Sequence, residues 1–412
     1  MADQYPATQQ VIDQLYRLHY GKMVASLLRF SREIDLEIAE DLVQDAFAAA
    51  LTNWGARVPD NPAGWIYSVC RNKALNRLRA EKKMNRLHGQ PEPAVPATVF
   101  SAEFPDDEQL RLLFACAHPD LSPRVQVVIT LKYVVNFKVA TIARLLGMTL
   151  DGADKLLLRA RQKIKAEKIL LTTPAPAAMQ RRLPIVHKII YLLFNEGHTS
   201  AEGKTLLREE LCEEALILNK AILDSQIGNT ETCALQALML LSAARFKARF
   251  DDNGDLMDLE QQDRSRWDTD LVQLGHYYFH QSQGTSISSY HFEAGIAYLH
   301  SIATSFATTD WQLIASLYRQ LLHHYPNPFA ELNYAIALYH AGDVQQSFDI
   351  LFSLQRSPFM NSYYLLNATL GKLFMQENDH VQAAVYFSKT LTQTRSEAEA
   401  NYIRKLLAKL NT

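Results

Sequence analysis

Residues 39–86 read AEDLVQDAFAAALTNWGARVPDNPAGWIYSVCRNKALNRLRAEKKMNR. The stretch holds two amphipathic helices of different character. In the first, Ala39, Leu42, Val43, Ala46, Phe47 and Leu51 recur at three- and four-residue steps, with Glu40, Asp41 and Asp45 beside them. In the second, Trp65, Ile66, Val69, Ala74, Leu75 and Leu78 form an apolar face, opposite Arg71, Asn72, Asn76, Arg77 and Arg79. Over 71–86, Arg71, Lys73, Arg77, Arg79, Lys82, Lys83 and Arg86 stand against Glu81 alone, a density that points to phosphate rather than to a merely solvated face. Gly55, Pro59 and Pro62 break the chain between the two helices. An acidic helix suits a protein partner, and a loop leading into a cationic, aromatic helix suits nucleic acid. Together they describe a module that another protein places on nucleic acid.

Outward from this stretch, residues 7–30 predict a preceding helix with Val11, Leu15, Leu18, Val24, Leu27 and Leu28 as its stripe. Residues 87–105 contain Pro91, Pro93, Pro96 and Pro105 and no helical period, which predicts a linker. A second helical module is expected over 106–170, where Ser122 is a candidate N-cap with Pro123 at the first helical position. A short helix over Val139–Leu146, ended by Gly147, and a longer one from about Asp151 to Lys165 read as a helix-turn-helix. Its inward positions are Ile142, Ala143, Leu146, Met148, Ala153, Leu157 and Ala160. The second helix turns basic, with Lys155, Arg159, Arg161, Lys163, Lys165 and Lys168. Pro174, Pro176 and Pro184 predict another linker over 171–184.

From 185 to 412 the pattern is helical, with polar turns expected at 195–203, 251–254, 325–328, 342–343 and 378–379. The segments ELNYAIALYHAGDVQQSFDILFSL and LLNATLGKLFMQENDHVQAAVYFSKTL align with a period in the mid-thirties, the length of a tetratricopeptide helix pair. An irregular helical bundle is the alternative. The expected fold class is all-α: two small helical DNA-binding modules, then a tetratricopeptide-like helical domain.

A chain of 412 residues accommodates two or three domains, and 48% hydrophobic with 21% charged residues is globular composition. The net charge of −2 conceals segregation, because basic residues cluster at 71–86 and 155–168, and phosphates respond to local charge. Cys70, Cys116, Cys212 and Cys233 lie far apart without a CxxC pair, which argues against a disulfide framework or a cysteine-rich zinc site. No apolar run approaches the roughly 20 residues that cross a bilayer. The start MADQYPATQQ has neither the basic end nor the apolar core of an export signal, so a cytoplasmic location without a membrane partner is expected.

The stretches AEDLVQDAFAAAL, NPAGWIYSVCRNKALNRLR, TIARLLGMT and LLRARQKI carry a resemblance. In order and spacing, the first 168 residues resemble the extracytoplasmic-function (ECF) sigma factors of the sigma-70 family. The remainder resembles the subgroup with a long C-terminal tetratricopeptide-type extension, through LFACAHPDLSP, IIYLLFNEGHTS, DLEQQDRSRWD, TDWQLIASLY and NPFAELNYAIAL. The resemblance implies sigma region 2 over 1–86, region 4 over 106–170, and a fused regulatory domain over 185–412 that could sequester the DNA-binding faces or recruit a protein partner. It implies a non-enzymatic protein that binds core RNA polymerase and promoter DNA.

The same resemblance assigns roles. Core polymerase binding falls to Asp41, Leu42, Gln44, Asp45 and Phe47, with simple core as the alternative for Leu42 and Phe47. The minus-ten element falls to the loop 54–61 and the helix after it, through Asn61, Trp65, Arg71, Asn72, Asn76, Arg77 and Arg79. Capture of a single strand needs a pocket for an unstacked base, an aromatic face and cations for the backbone. For Trp65 a core role is the alternative. The minus-thirty-five element falls to the second helix of the helix-turn-helix, through Thr149, Lys155, Arg159, Arg161 and Lys163. Asp151, Gly152, Asp154 and Leu156 depart from the family's usual start of that helix, which leaves base readout there open.

Two other readings compete: a polymerase-independent helix-turn-helix regulator with a repeat sensor, and a repeat scaffold whose N-terminal modules no longer bind DNA. Cys116 with His118, and His323 with His324, lack the further ligands of a metal site. Asn195-Glu196-Gly197-His198 reads as an interhelical turn with Gly197 at a helix C-terminus. No phosphate loop, HExxH or GxSxG motif is present, and no metal, cofactor or catalytic residue is expected.

Overall fold

The computed structural model describes residues 5–55, 57–87, 107–198, 208–225, 227–252, 255–394 and 397–410. The chain divides into two compact units, Met1–Leu193 and Phe194–Thr412. Every regular element among the described residues is helical, beside one isolated bridge between Phe250 and Leu256. No helix among them is long and apolar enough to cross a membrane.

The first unit opens with α1 (Tyr5–Phe30), α2 (Leu36–Asn53) and α3 (Pro62–Leu87). Asp35 caps α2, its carboxylate accepting the Ile38 N–H at 2.9 Å. Asn61 does the same for α3, accepting the Gly64 N–H at 2.9 Å, with Pro62 where its missing N–H costs nothing. The core takes Tyr20, Met23, Val24 and Leu27 from α1, Val43 and Ala46 from α2, and Ile66 and Ala74 from α3. The full burial of Ala39, Ala46, Ala50 and Ala74 reflects small side chains where the helices approach closely. Residues 88–105 of the expected linker lie outside the described residues; Leu87 still belongs to α3.

The unit continues with α4 (Asp107–Cys116), α5 (Pro123–Tyr133), α6 (Val139–Leu145) and α7 (Leu150–Ala166). Gly147, at φ +60°, ends α6, and the Met148 N–H reaches back to the Ala143 carbonyl at 2.9 Å. Ser122 occupies the N-cap of α5, but its side chain makes no capping bond. The two modules share a core rather than standing apart. Glu40 of α2 is 9% exposed and meets Lys132 of α5 at 2.6 Å, and Arg29 of α1 meets Glu108 of α4 at 2.6 Å. A Cβ on Gly21 would lie 2.1 Å from the Val134 carbonyl oxygen, so only glycine permits this approach.

Helix α8 (Pro176–His198) corrects two expectations. Its interior contains Pro184, so only 171–175 of the expected 171–184 linker is non-helical, and the compact units divide at Leu193/Phe194 instead. The proline removes one hydrogen bond, but Leu183, Val186, Ile189 and Ile190 are all buried at helical spacing, and their burial outweighs a penalty of about 3 kcal/mol. Asn195–His198 is likewise helix, not turn. Gly197 is needed there because a Cβ would lie 2.6 Å from the Cys212 Sγ and 2.8 Å from the Arg208 carbonyl oxygen.

The second unit continues through α9 (Glu209–Asp224), α10 (Thr230–Ala243), α11 (Thr269–Gln281), α12 (Ser289–Ile302) and α13 (Trp311–His324). Then come α14 (Pro328–His340), α15 (Val344–Gln355), the short α16 (Pro358–Asn361), α17 (Tyr364–Gln376), α18 (His380–Gln393) and α19 (Glu397–Leu410). The pairs α14–α15 and α17–α18 repeat one design. Each first helix ends in a left-handed residue, Gly342 or Asn378, and the next residue, Asp343 or Asp379, caps the second helix. In both turns that aspartate's N–H bonds five residues back, to Leu338 at 2.9 Å and to Phe374 at 2.8 Å. Gly371 lets α17 and α18 touch, since a Cβ would fall 2.6 Å from the Phe387 ring. Gly371→Ala is therefore expected to cost about 1–3 kcal/mol through overpacking. Thermal unfolding followed by circular dichroism measures this, and an unchanged melting temperature contradicts the close crossing.

Candidate polymerase and nucleic-acid interfaces

Helix α2 presents Asp41, Gln44 and Asp45 to solvent. Leu42 and Phe47, expected among the polymerase-binding residues, are core instead, at 6% and 4% exposure; Phe47 packs edge-on against Tyr16 at 4.8 Å. The spacing that gives the helix its apolar face turns both inward, so they shape the surface without belonging to it. Gln44 Nε2 donates to Glu40 at 3.3 Å, and Asp45 accepts from Lys73 of α3 at the same distance. The Lys73–Asp45 pair is solvent-exposed and holds α2 to α3 only weakly. Cys70, buried beneath it, has its thiol pushed up to about 12 by burial, as suits a packing residue.

Along α3 the minus-ten candidates fall on the outer side. Asn61, Asn72, Asn76, Arg77 and Arg79 are exposed, and Trp65 and Arg71 are half-buried. Asn61 is occupied as the cap of α3, and Arg77 pairs with Glu81 one turn on at 3.3 Å. Trp65 stands edge-on to Trp54, ring centres 5.5 Å apart, and Trp54 is buried at 4% exposure with its indole N–H unpartnered. Trp54 is thus the support for Trp65, a role the sequence signals only by placing an indole on either side of the loop. The module offers a half-exposed aromatic face next to amides and cations, the equipment that grips an unstacked base and its phosphates.

In the second module, α7 carries the minus-thirty-five candidates. Thr149 is its N-cap, its hydroxyl accepting the Gly152 N–H at 3.1 Å, which also explains a small residue at 152. Asp151 is neutralised by Lys155 at 2.7 Å, and its place in the first turn complements the helix dipole. The acidic start of α7 is therefore a capped, internally paired helix end. Lys163 donates to the Asp120 carbonyl at 2.6 Å, and Arg161 leans toward Glu37 of α2 at 3.6 Å. Arg159 is exposed and forms no ion pair among the described residues. The cross-module contacts of Lys132 and Arg161 were not legible in the sequence, since each joins residues about a hundred positions apart.

Comparison with known proteins agrees with this geometry. The sigma-70 region 2 family matches residues 15–84, and the sigma-70 region 4 family matches 111–164. A family of unknown function, DUF6596, matches 182–283. The chain is 30% identical over 398 residues to the uncharacterized protein R00370 of Rhizobium meliloti (strain 1021), covering 93% of this chain and 92% of the relative. It is 25% identical over 209 residues to the probable ECF RNA polymerase sigma factor SigI of Mycobacterium tuberculosis, covering 48% and 66%. It is 28% identical over 167 residues to the RNA polymerase sigma factor YlaC of Bacillus subtilis (strain 168), covering 37% and 90%. No solved structure matches. With both sigma regions in order on α1–α3 and α4–α7 and a helical extension after them, the chain belongs to the ECF sigma factors of the sigma-70 family and directs promoter-specific transcription initiation.

Proposed function

We propose that the outer face of α2, Asp41, Gln44 and Asp45, docks core RNA polymerase. The stripe of Asn61, Trp65, Arg71, Asn72, Asn76, Arg77 and Arg79 then takes the opened minus-ten strand. Helix α7 enters the major groove at the minus-thirty-five element, with Thr149 capping the helix and Lys155, Arg159, Arg161 and Lys163 serving the phosphates. The observation that carries this reading is the pairing, on one three-helix module, of an exposed acidic helix with an exposed aromatic and cationic one. The C-terminal unit acts as a tetratricopeptide-like protein-interaction domain, which the repeated α14–α15 and α17–α18 turns support. The protein works in the cytoplasm and catalyses no reaction of its own.

Promoter elements near minus ten and minus thirty-five stand about 25 base pairs apart, about 85 Å of duplex at about 3.4 Å per pair. A compact domain of about 190 residues has a radius of gyration of only about 16 Å. The shared core of the two modules therefore opens when both elements are engaged, which releases Arg161 from Glu37. The docking assignment is tested by Asp41→Lys. Affinity for purified core polymerase is expected to fall about tenfold, the cost of a like-charge contact on a docking surface, with the melting temperature unchanged. Unaltered affinity would move the docking site off α2.

A further inference from the structure

Three stretches that the two sigma modules leave unexplained, DLEQQDRSRWD, TDWQLIASLY and NPFAELNYAIAL, meet at one place. In the C-terminal unit a cavity of about 420 Å³ is lined by Leu259 and Glu260 from the first, Trp311 and Tyr318 from the second, and Asn333 and Ile336 from the third, with His340 just beyond it. That volume suits a small organic molecule. One wall is aromatic: the Trp311 ring lies 4.9 Å from Phe306, 4.7 Å from His340 and 5.3 Å from His300, and all four line the cavity.

The same lining carries a cation without a counter-ion. The guanidinium of Arg245 lies over Trp267 at 5.4 Å, and its Nε donates to the neutral Gln262 at 3.2 Å. Arg264 covers Trp267 at 5.0 Å and directs its N–H groups to the carbonyls of His300 and Ala303 and to the Thr309 hydroxyl. Among the described residues neither arginine pairs with a carboxylate. Burial together with Arg249 and Arg264 pushes Arg245 down to about 10, and burial together with Arg245 and Arg264 takes His300 down to about 3. His300 is thus neutral, and its buried Nδ1 has no hydrogen-bond partner. Of the acids in the lining, Asp258 is held by Lys372 and Tyr402, both at 2.5 Å, and Glu260 is exposed; Glu293 adds one further carboxylate. A largely buried arginine with only neutral partners is costly until an anion joins it.

We propose that this cavity binds a small organic monoanion with a flat ring, its acid group on Arg245 and His300 and its ring against the Trp311 wall. Glu260 and Glu293 select against polyanions. Binding of this kind is independent of the docking and promoter assignments above.

The test uses the full-length protein and two fluorescent probes with one ring system, the monoanion 8-anilinonaphthalene-1-sulfonate and the neutral N-phenyl-1-naphthylamine. The sulfonate is expected to saturate a single site about tenfold more tightly than the neutral probe, the gain of a charge-assisted contact, with no competition from adenosine triphosphate. Arg245→Gln is expected to remove that advantage and leave the neutral probe's affinity intact, while Trp311→Ala weakens both. Equal affinity of the two probes for the unmodified protein overturns the anion assignment even if the Arg245 variant fails to fold, which circular dichroism reports. Binding that does not saturate, or that survives Trp311→Ala in a folded protein, overturns the site.

Discussion

Replacing Trp65 by alanine is expected to lower promoter opening about ten- to a hundredfold, because base stacking on an aromatic face is worth about 1–3 kcal/mol and each 1.4 kcal/mol is about tenfold. The indole also packs on Trp54, so the same substitution removes a packing contact as well as the stacking face. Two companions separate the contributions. Trp65→Phe keeps a stacking face and is expected to recover most of the activity. Arg79→Ala, at an exposed site, is expected to weaken binding to every promoter alike and to reduce the salt slope by about 1, the signature of one lost phosphate contact. Permanganate footprinting of the opened strand, with salt titration, measures both. Full opening by Trp65→Ala would remove this residue from the site.

The second large effect is expected at Glu40→Ala. This carboxylate is nearly buried, accepts Lys132 at 2.6 Å and Gln44 at 3.3 Å, and joins the two DNA-binding modules. Removing one member of a buried pair strands the other, at a cost of about 3 kcal/mol, whereas an exposed pair such as Lys73–Asp45 is worth about 1 kcal/mol or less. Chemical denaturation compares the two. If Glu40→Ala and Asp45→Ala destabilise equally, the modules do not share the core described here.

The helices were legible because local signals agree: apolar spacing in α2 and α3, the break at Pro62 before α3, and Gly147 at the end of α6; the caps at Asp35 and Asn61 emerge only from the structure. Sequence pattern and structure part where a distant contact overrides a local preference. Pro184 reads as a breaker, but the buried residues on either side keep α8 continuous. Gly197 reads as a turn residue, but it is small because Cys212 lies against it. Leu42 and Phe47 show the limit for site residues, since the period that reveals a helix does not say which stripe a partner meets. At Asp151 the departure from the family pattern has a local explanation, the pair with Lys155 beside the Thr149 cap. The convergence of three separate stretches on the C-terminal cavity depends wholly on tertiary packing, and no sequence period announces it.

The most direct test of the account is run-off transcription with purified core polymerase on genomic fragments. The full-length protein is predicted to produce discrete transcripts from a small set of promoters that core polymerase alone does not initiate, and those transcripts should fade in the Asp41→Lys and Trp65→Ala variants. Promoter binding by the protein without polymerase, and no new transcript with it, would contradict the account.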